Sequence, residues 1–122
     1  DAYVRALSDG RYTYRGPMMQ GVQDNLGLTA TLVVGGVNVV VSSQRRQCFD
    51  AEMLRIAGVE PTGLRLLVLK SAVHFRADFG PIASRIFDAD TPGIHRPDLS
   101  AFDFHHVRRP IYPLDSQTVW RG

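Results

Sequence analysis

The stretch KSAVHFRADFGPIASR, residues 70 to 85, brings Lys70, Ser71, His74 and Arg76 together within seven residues. Such side chains bind anions: an ammonium and a guanidinium attract a carboxylate or phosphate, a hydroxyl donates to it, and an imidazole exchanges a proton near neutrality. Lys70 follows the apolar run LLVL and so stands at the carboxyl end of an expected strand. Ligands of open α/β sheets bind there, where helix N-termini favour negative charge. Ser71 is placed to cap the following helix, with His74 in its first turns. The plainer alternative is a lysine that closes a strand and a histidine that donates to a backbone carbonyl in a packed turn. A lysine beside a histidine is no catalytic signature by itself.

Other chemistries fit less well. Ser71, His74 and Asp78 share one short helix without a strained nucleophile turn or an oxyanion hole, so they read as a cap and a helix face. Cys48 has Arg45 and Arg46 close by, which would lower a thiol pKa, yet its segment holds no histidine to act as base. A structural thiol is expected. His105 and His106 are adjacent and point to opposite sides of an extended chain, although Asp103 and His105 make a same-face pair. Neither HExxH nor CxxC spacing occurs, so no metal site and no catalytic residue is assigned within the chain.

These residues need a scaffold, and 122 residues suffice for one domain, 1–122, with its own core. Fourteen Lys plus Arg against twelve Asp plus Glu leave a net charge of +2, and the arginines are spread along the chain rather than gathered beside aromatics. Nucleic acid is therefore not an expected partner. No apolar run approaches the length of a membrane span, and DAYVRALSDG lacks the form of a signal peptide. A single cysteine excludes an intrachain disulfide and points to a reducing, cytoplasmic compartment. Opening on Asp1 suggests a piece of something longer.

RYTYRG at 11 to 16 alternates like an edge strand, and GPMMQG and QDNLG read as loop and turn. In GLTATLVVGGVNVVVSS, two β-branched runs flank Gly35 and Gly36, which predicts a two-residue hairpin with Val34 opposite Val37, Leu32 opposite Val39 and Ala30 opposite Val41. That wholly apolar side is expected to cover the core, and the side with Thr29, Thr31, Asn38 and Ser42 to meet water or a partner. DAEMLRIAG predicts a short helix with Asp50 as N-cap and Gly58 as its stop. LRLLVLK predicts a central strand buried on both faces, SAVHFRADFGPIA a helix broken near Gly80 and Pro81, and SRIFDAD a second strand parallel to the first. From TPGIHRPDLS onward, prolines 92, 97, 110 and 113 predict irregular chain. The class is α/β or α+β with a mixed sheet, a Gly-Gly hairpin and two short helices.

GLTATLVVGGVNVVVSSQRRQ, KSAVHFRADFGPIA and RRPIYPLD, in this order and spacing, resemble the C-terminal domain of the microcystinase C (MlrC) type metallopeptidases. The resemblance runs from about SDGRYTYRGPM through Asp115. It implies a bacterial, zinc-dependent hydrolase of small peptides or amides whose Asp and His metal ligands lie in an N-terminal domain absent here. The glycine-rich DNPGG stretch that usually opens the C-terminal domain is also absent, so the chain corresponds to the last part of that domain. The expected partners are the N-terminal metal-binding domain and the substrate, with a homo-oligomer left open. Zinc in the other domain would activate a water and polarise the scissile carbonyl. This chain would then form one wall of the substrate cleft, with Lys70, Ser71, His74 and Arg76 holding a substrate carboxylate or the developing oxyanion. A non-catalytic module that binds a small anion or a partner at the same strand end is the alternative.

Overall fold

The computed structural model describes residues 1–91 and 98–119, so Pro92 and Pro97 of the proline-rich segment lie outside the described residues. Two compact units emerge, Asp1–Ile86 and Phe87–Gly122. The first holds five strands: β1 (Tyr3–Ser8), β2 (Arg11–Thr13), β3 (Gln23–Asn25), β4 (Thr29–Val34) and β5 (Val37–Ser42). β4 lies between β1 and β5 in a three-stranded antiparallel sheet, and β2 pairs antiparallel with β3. With short helices beside these sheets, the fold is α+β. The β2 strand begins in the expected place, whereas β3 forms where only a turn was expected, because Tyr12 and Asp24 pair across it.

The hairpin register is as the glycine pair predicts, with Val34 opposite Val37, Leu32 opposite Val39 and Ala30 opposite Val41. Gly35 and Gly36 have φ of +52° and +83°, the left-handed conformation that a tight hairpin turn requires at both positions. The two faces are reversed from expectation. Thr29 and Thr31 are buried, Thr31 at 0% exposure, while Val34, Val37, Val39 and Val41 are exposed. Val4 and Leu7 of β1, opposite Leu32 and Ala30, extend that open apolar face. Hydroxyl satisfaction explains the reversal. Thr31 Oγ1 donates to the Ala57 carbonyl at 2.6 Å and Thr29 Oγ1 to the Gly27 carbonyl at 3.0 Å, so the threonine face buries without orphaned polar atoms.

Helix α1 (Glu52–Arg55) follows, stopped at Gly58, where the Val59 N–H returns to the Leu54 carbonyl at 3.0 Å. The cap position is Ala51, one residue beyond the expected Asp50. Asp50 still receives the Glu52 N–H on Oδ1 at 2.8 Å, and its Oδ2 accepts the N–H groups of Arg15 and Gly16 at 3.0 and 2.7 Å. Asp78 accepts the Ala51 N–H at 2.6 Å. On α1, Met53 joins Tyr12, Tyr14 and Leu26 in one apolar cluster, while Ala51 and Leu54 join Val59 and Phe79 in another.

The expected central strand differs from expectation. Residues 66–69 form no ladder with any described residue, and both sheets are antiparallel, so the parallel pair is not made either. Leu67 and Leu69 pack on the second cluster, but Leu66 and Val68 are 76% and 84% exposed. Apolar continuity recorded which side chains want burial; a strand also needs a backbone partner, and no described segment supplies one. SRIFDAD likewise forms no strand. Helix α2 (Arg76–Phe79) passes into a 3-10 turn over Gly80–Ile82, which is the expected break at Gly80 and Pro81.

Among its described residues the second unit is irregular apart from a 3-10 turn at Leu99–Ala101, capped by Asp98 accepting the Ser100 N–H at 2.9 Å. Arg109 grips Asp115 through both Nε and Nη2, and Asp115 Oδ2 accepts the Ile111 N–H at 2.7 Å. The guanidinium first and that N–H second hold the Asp115 carboxyl down at about 2.

Two stability outcomes follow from this packing. A Cβ on either turn glycine meets nothing within 4 Å, so the Gly35→Val, Gly36→Val double variant loses only backbone comfort, about 1 kcal/mol or more per position. Its melting temperature by circular dichroism falls by several degrees, while Gly35→Asn, which tolerates the left-handed region, keeps most of it. A Cβ on Gly16 would lie 2.8 Å from Asp78 Cγ and 3.0 Å from Asp50 Oδ2. Gly16→Ala therefore costs roughly 1–3 kcal/mol in urea unfolding, because two carboxylates already fixed by backbone donors must move.

Candidate functional site

Gln47, in the loop between β5 and α1, gathers the candidate residues. Its Nε2 donates to Ser71 Oγ at 2.9 Å, and its Oε1 lies 2.9 Å from His74 Nδ1. With the amide nitrogen engaged by Ser71, the oxygen facing His74 is an acceptor, so Nδ1 carries a proton. A neutral imidazole then offers Nε2 as an acceptor, and Ser71 keeps its own O–H to donate. The loop is held in place from its other end, where the Ser43 N–H meets the Leu28 carbonyl at 3.0 Å and the Gln44 N–H meets the Leu26 carbonyl at 2.9 Å.

Of the four expected site residues, the structure brings Ser71 and His74 together. Lys70 precedes Ser71, is exposed, and has no hydrogen bond or ion pair among the described residues. Arg76 lies on α2 with its guanidinium 5.2 Å from the Phe75 ring centroid, already stacked. Ser71 does not cap α2: that helix starts at Arg76 with Phe75 at the cap position and no side-chain cap bond. At four residues it presents no useful dipole, so anion attraction here rests on side chains. Asp78 turns to the start of α1, which removes it from Ser71 and His74.

A second polar chain runs through the first apolar cluster. Tyr12 donates to the Tyr14 hydroxyl at 2.8 Å, Tyr14 donates to Asp24 Oδ2 at 2.8 Å, and Arg46 Nε reaches the same oxygen at 3.3 Å. Burial is the largest cause that raises both tyrosine pKa values, so both phenols stay protonated. The Tyr14 hydroxyl leads the effects that lower Asp24, followed by the Asn25 N–H. Tyr14 also stacks on Phe49, with ring centroids 5.1 Å apart. This chain fixes the β2–β3 pair rather than exposing a reactive group. Its signal was in the sequence, since RYTYR sets Tyr12 and Tyr14 on one strand face; Gln47, inside SSQRRQCF, gave none.

No group of three or more His, Cys, Asp or Glu could hold a metal ion among the described residues. His105 Nε2 and Asp103 Oδ2 pair at 3.2 Å, both exposed and, among the described residues, without a third metal-ligating group. No helix among the described residues is long and apolar enough to cross a membrane.

The family described as MlrC C-terminus matches residues 1–106. Microcystinase C of Sphingomonas sp is 31% identical over 98 residues, covering 80% of this chain and 18% of that protein. A solved structure named "Putative metallopeptidase", from Mesorhizobium sp. BNC1, is 32% identical with a TM-score of 0.77, covering 99% of this chain and 24% of that one. The chain thus spans about a fifth to a quarter of the length of these relatives.

Cys48 touches both apolar clusters, and burial, then Asp50 and Asp78, push its thiol up to about 11 from 9.0. The cations at Arg45 and Arg46 do not prevail. At pH 8 the native thiolate fraction is about a hundredfold below that of the unfolded chain, so alkylation of native protein is slower by at least that factor. Because the unfolded thiol ionises first, native stability also falls as pH rises from about 9 to about 11, measurable as a falling urea midpoint that Cys48→Ala flattens.

Proposed function

The chain belongs to the MlrC C-terminus family, and on that premise we propose that it is the C-terminal part of a zinc-dependent metallopeptidase or amidohydrolase acting on small peptides. Within that enzyme it forms one wall of the substrate cleft and works beside an N-terminal metal-binding domain. The described residues do not fit a zinc site, so the metal of this proposal is held outside them.

The observation that supports the role of this wall is the Gln47 amide joining Ser71 and His74 directly after Lys70. A substrate carboxylate or a developing oxyanion in this place would meet an unpaired ammonium and a free hydroxyl proton, while His74 Nε2, an acceptor in the neutral ring, would donate to it only in the protonated ring. Gln47 matters as the positioning residue: it costs His74 and Ser71 part of their rotational freedom before any ligand arrives. Arg76, stacked on Phe75, contributes positive charge to the same segment. Such an arrangement orients substrate and needs no nucleophile of its own.

In the full-length enzyme, Lys70→Met keeps the apolar stem and removes the charge. Loss of one charged hydrogen bond, about 1.5–3 kcal/mol, lowers kcat/KM on the order of ten- to a hundredfold with little change in melting temperature. His74→Gln gives a smaller loss that varies with pH. Elemental analysis of the same preparations reports zinc independently. Normal turnover in Lys70→Met would leave the segment without a part in the chemistry and favour the alternative, a module that binds a small anion or a partner without catalysing a reaction.

A further inference from the structure

Residues 65–72 make no backbone hydrogen bond among the described residues, although they run between two well-tied segments, the 3-10 turn at Pro61–Gly63 and helix α2. Side-chain exposure alternates along them, with Leu67 and Leu69 on the second apolar cluster and Leu66 and Val68 outward. Period-two burial is the mark of extended chain. Residues 66–69 thus alternate in burial as a strand does and have no pairing neighbour among the described residues. Continuous apolar sequence of this kind belongs to strands covered on both faces, and the described residues cover only one.

We propose that residues 66–69 are one strand of a sheet completed by a strand from the part of the protein that lies outside this chain. This rests on the reading that the chain is a piece of a longer enzyme, in keeping with the 18% and 24% of its relatives that it spans. The incoming strand satisfies the N–H and C=O groups on the edge it joins, and the apolar residues around it cover Leu66 and Val68. A second copy of this segment is the poorer occupant. Full antiparallel overlap of Arg65–Lys70 with itself sets Arg65 opposite Lys70, and parallel overlap sets each cation against its own twin; like charges directly opposite are destabilising. The pairing also has a consequence for the candidate site, since it fixes the strand end from which Lys70, Ser71 and His74 depart.

Amide hydrogen exchange of the full-length protein tests this, read by mass spectrometry on peptides covering 64–72, with β4 as the internal standard of a paired strand. The alternate amides of 66–69 that face the incoming strand exchange on the order of a hundredfold or more slower than free peptide, and the protection is unchanged on dilution. In the Leu66→Lys, Val68→Lys double variant this protection is lost while β4 keeps its own. Exchange at the free-peptide rate in the unaltered protein overturns the inference, and protection that disappears on dilution to monomer overturns it in favour of a second copy. Zinc content and turnover of the same sample stand apart: a protected strand in a protein without metal or activity removes the functional reading alone, and an unprotected strand in an active zinc enzyme removes this inference alone.

Discussion

The buried carboxylate of Asp50 is the constraint on which the first unit depends. A charge taken out of water must be met by fixed donors, and Asp50 is met by three backbone N–H groups, from Arg15, Gly16 and Glu52. Those donors belong to two separate parts of the chain, so satisfying one side chain fixes where the loop after β2 meets the start of α1. Asp78 repeats the device from α2 by accepting the Ala51 N–H. Together the two carboxylates orient α1 so that Met53 meets the tyrosines while Ala51 and Leu54 meet Phe79. Removing either acid would strand donors in the interior, which costs more than the bonds themselves contribute.

Around this hub the core consists of two small clusters, and polar contacts decide their geometry as much as apolar contact does. The Tyr12–Tyr14–Asp24 chain threads one cluster; Thr31 ties the sheet to the end of α1 beside the other. Surface pairs matter less. Arg55 bridges Glu52 and Glu60 at 2.8 Å each, yet exposed ion pairs of this kind are worth little each, in part because water and salt screen them.

Local chemistry was legible in the sequence, and partnership was not. The Gly35–Gly36 turn, its register, the stop at Gly58 and the break at Gly80 are set by backbone rules that act over a few residues, and all four appear as expected. Which face of the hairpin turns inward depended on a carbonyl at Ala57, 26 residues from Thr31, and a count of hydrophobic residues cannot see it. The run LLVL announced a two-faced strand, but the neighbour that would make it one is not among the described residues. At the candidate site, Ser71 and His74 stood out by type, whereas the residue that joins them, Gln47, sits in a polar loop that carries no pattern. The β1 strand, Tyr3–Ser8, was missed because its bulge between Val4 and Ala6 breaks the alternation.

The outward valines of the hairpin have a consequence for how such a chain tolerates change over generations. Val37 is 61% exposed, and substitutions there, at Val39 or at Val41 disturb little of the internal packing. On the neighbouring strand, Thr31 is bonded to Ala57 and enclosed, so almost any replacement disrupts the interior. Alternate residues of one hairpin therefore answer to different authorities. The inward set drifts only as far as this fold allows, while the outward set is restrained solely by whatever lies against it. Variation compared residue by residue along β4 and β5 would hold two separate histories, one written by folding and one by contact.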